Sequence, residues 1–108
     1  MDYQFLQLEQ QDQVATVWIN RAELHNAFNT QVIEELHACF QQLNTRDDVR
    51  VVILAGRGKS FSAGADLNWM KQAGQASQAD NEADALKLAK MLQSLATLKQ
   101  PTIARVHG

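Results

Sequence analysis

The chain has 108 residues, 45% of them apolar and 20% charged, which is the size and make-up of one small globular domain. Ten basic against twelve acidic residues give a net charge of −2, so no basic footprint argues for nucleic acid or an anionic membrane as partner. The single cysteine, Cys39, excludes an internal disulfide. Met1-Asp2-Tyr3-Gln4 lacks a signal pattern, and no apolar run approaches the roughly 18 residues of a membrane span. A cytoplasmic location is therefore expected.

Tyr3 to Glu9 and Val14 to Ile19 both alternate in polarity, with Gln10-Gln11-Asp12-Gln13 between them. That pattern predicts a β-hairpin whose turn carries no Asn-Gly or Asp-Gly signal. Asn20 to Phe28 reads as a loop. Asn29 or Thr30 can cap the helix that follows. In it, Val32, Ile33, Leu36, Cys39, Phe40 and Leu43 recur at three- and four-residue steps, while Glu34, Glu35, Gln41 and Gln42 fall outside that stripe, and both glutamates are expected on a solvated face.

Val51 to Ala55 is an unbroken apolar run, which predicts a strand buried on both faces. A loop with glycines at 56, 58 and 64 follows, then Ala63-Gly64-Ala65-Asp66, read as the start of a helix of one or two turns. Gln72 to Asn81 is polar and small, and is expected to be mobile. Asn81 to Leu98 predicts a longer helix with Ala85, Leu88, Ala89, Leu92, Leu95 and Ala96 on one face, stopped by Pro101. Thr102 to Val106 is a last strand. Hairpin and helical connections together predict an α/β layered fold.

Gly56-Arg57-Gly58-Lys59-Ser60 invites a phosphate-loop reading, but the motif needs a glycine where Ile53 stands. The dinucleotide pattern fails at Phe61. Ser60 and Ser62 lack the glycine spacing of a nucleophile elbow. His25, His37 and His107 have no metal-ligand spacing and read as structural, and Cys39 reads as core. Trp69 and Met70 are candidates for an apolar pocket, or plain core.

Small residues at Ala63-Gly64-Ala65 let a ligand lie close to the backbone, and a helix start beside them offers N–H donors. Phe61-Ser62-Ala63-Gly64-Ala65-Asp66-Leu67 resembles the acyl-CoA-binding segment of the enoyl-CoA hydratase/isomerase (crotonase) superfamily. Asn20-Arg21-Ala22-Glu23-Leu24-His25-Asn26-Ala27-Phe28 is similar to that family's other N-terminal signature. Pro101-Thr102-Ile103-Ala104-Arg105-Val106-His107-Gly108 matches the strand that leads into its glycine-rich second half. Ala22 stands where the family usually has proline, and Asn68 where some hydratases carry a lysine near the CoA phosphate.

The resemblance implies the first part of a spiral of strand-strand-helix units, with residues 1–108 the N-terminal portion of one crotonase-like domain. It implies a backbone role for Ala65, whose N–H would be half of an oxyanion hole for a thioester carbonyl. Glu23, Leu24, Ala27, Ala63, Gly64, Asp66 and Leu67 would lie along the coenzyme A. The expected partner is an enoyl-CoA thioester, with no separate cofactor and no metal. The family's usual trimers or hexamers are expected of a full-length protein.

The implied reaction is addition of water to a 2-enoyl-CoA. Its two glutamates and second oxyanion N–H fall beyond the matched strand, so residues 1–108 alone are expected to be inactive. Gly64-Ala65-Asp66-Leu67-Asn68-Trp69-Met70 most resembles methylglutaconyl-CoA and isohexenylglutaconyl-CoA hydratases. Isomerase, decarboxylase or dehalogenase chemistry, a nucleotide-phosphate-binding module on Gly56 to Ser60, and a non-catalytic structural piece are the alternatives.

Overall fold

The computed structural model describes residues 3–108. Met1 and Asp2, read above as part of a chain start without a signal pattern, lie outside the described residues. Among the described residues four strands form one sheet in the order β1-β2-β3-β4. They are β1 (Leu6–Gln11), β2 (Val14–Ile19), β3 (Val51–Gly56) and β4 (Thr102–Arg105). The β1–β2 pair is antiparallel, and β2–β3 and β3–β4 are parallel. The hairpin turn is tighter than the sequence suggests: Gln11 pairs with Val14, and Asp12 takes a left-handed φ of 54°. Aspartate is one of the few residues that enters that region readily, so a turn without glycine still closes.

The helix α1 (Thr30–Asn44) connects β2 to β3. Its cap is Asn29, whose Oδ1 accepts the Val32 N–H at 2.9 Å. All six residues of the expected stripe are buried, against Leu6, Ala15, Val17, Ile19 and Val52 of the sheet. Each such side chain contributes about 1.5–3 kcal/mol by leaving water, so this face carries the fold.

Glu35 departs from expectation. It is only 6% exposed, because its carboxylate accepts the Phe5 N–H and the Gln31 amide, both at 2.9 Å. A buried carboxylate is tolerated when it is hydrogen-bonded, so Glu35 does not belong with the solvated acids.

Two further expectations change. The segment from Gln72 to Asn81 is not an irregular stretch: α2 runs Leu67–Gln75 and α3 runs Gln78–Ala96. Ser77 separates them and caps α3, its Oγ accepting the Asp80 N–H at 3.1 Å. In α3 the side turned inward is Leu88, Met91 and Leu95, and only Met91 is fully buried. Ala85, Ala89 and Ala96 are exposed, and Leu92 is 51% exposed. The packed line is narrower than the apolar one because α3 lies on α1.

In β3, Val52, Ala55 and Gly56 are buried but Val51, Ile53 and Leu54 are only half-buried. Strand alternation turns one face of the sheet toward the helices and the other, with Gln7, Glu9, Thr16 and Trp18, away from them. The mixed α/β architecture with its strand-strand-helix unit is as expected.

Candidate functional site

The two segments singled out in the sequence lie side by side. Ala22–Leu24 forms a 3-10 turn, closed by the Leu24 and His25 N–H groups on Arg21 O and Ala22 O, both at 3.0 Å. His25 and Asn26 then take left-handed φ values of 52° and 57°. This reversal lays Ala27 and Phe28 alongside Gly64 to Asp66 in an isolated parallel bridge, Phe28 to Ala65. Phe28 donates to Gly64 O at 2.6 Å and accepts the Asp66 N–H at 2.7 Å.

Four side chains fasten this arrangement. Asn26 is fully buried. Its Oδ1 accepts the Arg21 N–H, and its Nδ2 donates to Arg57 O and Ser60 O, all at 2.8 Å. Ser62 Oγ donates to Asn26 O at 2.9 Å and accepts the Gly64 N–H at 3.1 Å. Arg21 pairs with Asp66 at 2.7 Å, both side chains about nine-tenths buried. Sequence reasoning placed Asn26 and Arg21 in a motif but assigned neither a role.

Asp66 is the N-cap of α2 rather than part of its first turn, its Oδ1 accepting the Trp69 N–H at 2.9 Å. That hydrogen bond and the Arg21 guanidinium hold its carboxyl below the usual range. Ala65 therefore lies ahead of the helix, and the bridge to Phe28, not the helix, sets its amide. Among the described residues the Ala65 N–H has no acceptor.

A cleft of about 540 Å³ opens here, lined by Glu23, Leu24, Ala27, Ala63, Ala65, Asp66 and Leu67, with His25 and Asn68. Seven of the eight expected residues thus share one cavity. Gly64 lies in the turn behind it, with φ 88° and open space where a Cβ would stand. Trp69 and Met70 are not in the lining: Trp69 packs on the core, and Met70 is exposed. His25 is more than a spacer, since its carbonyl accepts the Ala63 N–H at 2.9 Å.

The cleft can hold a polarised oxygen against a backbone donor. It cannot by itself move a proton through Asp66, whose oxygens are engaged by Arg21 and the Trp69 N–H. Among the described residues no group of three His, Cys, Asp or Glu could hold a metal. No helix there is long and apolar enough to cross a membrane.

The Gly56 to Ser60 loop packs against Asn26 and His107. Its carbonyls at Arg57 and Ser60 face Asn26, and that of Gly58 faces His107 Nε2 at 2.8 Å. The Arg57 side chain lies 3.8 Å over the Trp18 ring and pairs with Glu9 at 2.7 Å.

The enoyl-CoA hydratase/isomerase sequence profile matches residues 9–108. The chain belongs to the enoyl-CoA hydratase/isomerase family. It is 35% identical to the short-chain-enoyl-CoA hydratase of Clostridium acetobutylicum, over 94% of this chain and 38% of that protein. It is 35% identical to the mitochondrial Delta(3,5)-Delta(2,4)-dienoyl-CoA isomerase of Mus musculus, over 91% of this chain and 32% of that one. The crystal structure of an enoyl-CoA hydratase from Shewanella pealeana superposes with a TM-score of 0.93 at 34% identity, covering 96% of this chain and 39% of that chain. The chain spans 32–39% of the length of these three relatives.

Proposed function

We propose that residues 1–108 are the N-terminal, substrate-cradling portion of one domain of an enoyl-CoA hydratase. In this reading the Ala65 N–H is one of two donors to the thioester oxygen. Glu23, Leu24, Ala27, Ala63, Gly64, Asp66 and Leu67 border the coenzyme A. The observation that carries the reading is the Ala65 N–H, which has no acceptor among the described residues and belongs to a residue that lines the cleft.

The chemistry suits a backbone donor. As water adds across the double bond, the carbon next to the thioester gains enolate character and its carbonyl oxygen gains charge. A fixed N–H strengthens most at that moment, which lowers the barrier rather than only binding substrate. Coenzyme A arrives as part of the substrate, so no separate cofactor is needed. The acid and base come from carboxylates outside these residues, consistent with Asp66 being engaged here.

Gly64 to Met70 favours a branched, carboxylated substrate such as 3-methylglutaconyl-CoA, which points to leucine breakdown in the cytoplasm. A trimer or hexamer is the assembly proposed for the full-length protein. The second reading is enoyl-CoA isomerisation, favoured by the mouse isomerase among the relatives.

The complete gene product is tested with 3-methylglutaconyl-CoA and crotonyl-CoA, following loss of the conjugated enoyl absorbance. Hydration of either supports the reading, with faster turnover of the first supporting the substrate. Absence of hydration, together with no binding of acetoacetyl-CoA, overturns it. Residues 1–108 alone are expected to show no turnover.

A further inference from the structure

We propose that Arg21 and Asp66 are a positioning pair that fixes the direction of the Ala65 N–H. This rests on the acyl-CoA reading of the cleft. A single guanidinium nitrogen, Arg21 Nη1, reaches two segments at once. It lies 2.7 Å from Asp66 Oδ2 and donates to Ala27 O at 2.9 Å. Asp66 follows Ala65 in the chain, and Ala27 precedes Phe28. The pair thus fastens both sides of the one-rung bridge immediately beside it.

Arg21 is itself held. Its N–H donates to Asn26 Oδ1 at 2.8 Å, and its guanidinium lies 5.1 Å from the Phe5 ring centroid. The ion pair is about nine-tenths buried on both sides. Buried pairs of this kind are weak sources of stability, because removing two charges from water costs about as much as their attraction returns. Fixing geometry is the role that the contacts fit.

A donor to a developing oxyanion acts only when held to within about 0.5 Å and 10–20° of its productive direction. One peptide plane contains both Gly64 O and the Ala65 N–H. Sliding Phe28 relative to Gly64 would rotate that plane and misdirect the amide. Lysine at position 21 keeps the charge but not the rigid guanidinium plane that holds Nη1 between its two partners.

The test uses the complete gene product and two variants, Asp66→Asn and Arg21→Lys. Asp66→Asn keeps an oxygen to cap α2 and removes the charge. The probe is an aryl-conjugated enoyl-CoA, whose absorbance moves to the red when its carbonyl is polarised. The parent protein is expected to bind it with a red shift. Both variants are expected to bind it within about threefold of the parent affinity, lose at least about half of the shift, and lose about tenfold or more in kcat with KM within about threefold.

A full red shift in either folded variant overturns the positioning role alone. Failure of both variants to fold makes the pair purely structural and also overturns it. If only one folds, that one decides. Absence of a red shift in the parent protein overturns the acyl-CoA reading and this proposal together.

Discussion

Phe28 and Ala65 face each other across a parallel bridge in which only Phe28 makes the hydrogen bonds. Its N–H goes to Gly64 O and its C=O takes the Asp66 N–H, at 2.6 and 2.7 Å. Because a trans peptide plane directs its C=O and N–H oppositely, the bond on Gly64 O aims the Ala65 N–H away from Phe28. The donor is a by-product of how two loops pair.

Ala65→Pro removes that N–H without removing a hydrogen bond from the fold. On the acyl-CoA reading, the complete gene product is expected to lose about 10²–10³ in kcat, the usual effect of one oxyanion donor. Its far-ultraviolet circular dichroism is expected to match the parent, and Ala65→Gly to retain activity. Parent-like turnover by the proline variant would remove Ala65 from the mechanism.

Asn26 answers three backbone groups from a fully buried position. Asn26→Ala leaves Arg21 N–H, Arg57 O and Ser60 O unsatisfied, at about 1–3 kcal/mol for each buried group that water cannot reach. Urea unfolding is expected to show a loss of about 3 kcal/mol or more. Asn26→Asp is expected to be worse, since a carboxylate would face two carbonyls. A loss under about 1 kcal/mol in either would show that the loop repacks.

Two glycines are needed for different reasons. A Cβ on Gly56 would stand 2.5 Å from Phe61 O and 2.8 Å from Asn26 Nδ2, with nothing flexible to yield. Gly64 has open space but φ 88°, so alanine there meets only the left-handed penalty of about 1–2 kcal/mol. Gly56→Ala is therefore expected to be the more damaging by chemical denaturation. The reverse order would contradict the packing described around Asn26.

Acid titrates the Arg21–Asp66 pair in a predictable direction. The Trp69 N–H and then Arg21 hold the Asp66 carboxyl below its ordinary value. The folded state thus binds the proton less readily than the unfolded one. The stabilisation is full above the unfolded carboxylate value of about 3.9 and is lost as pH falls through the lower, folded value. Melting temperatures of the parent and Asp66→Asn are expected to differ by a constant amount from pH 7 to about 5 and to converge below about pH 4. A constant difference throughout would exclude Asp66 as the titrating group.

Helix α1 was legible because one local rule covers it: a 3.6-residue apolar period opened by an asparagine cap. The cleft was legible because its lining falls in two short segments of recognisable composition. What holds the cleft was not legible. Asn26 reaches Arg57 and Ser60, and Arg21 reaches Asp66, across 31, 34 and 45 positions with no periodic trace. The one local hint was Asn26 itself, a side chain tolerant of left-handed backbone.

Glu35 was misread because polarity alone marks a residue as solvated, while its partner, the Phe5 N–H, lies 30 residues away. The helical ends within Gln72 to Asn81 were not legible, because small polar residues resemble a loop until a cap such as Ser77 is seen in place.

Strand β4 is the outermost strand on its side of the sheet, and all four of its residues are exposed. Ile103 within it and Val106 just after it are 56% and 70% exposed. An unpaired parallel rim is a template for any other extended chain. Concentrated solutions of residues 1–108 are therefore expected to self-associate along that seam, and Ile103→Lys to keep copies apart.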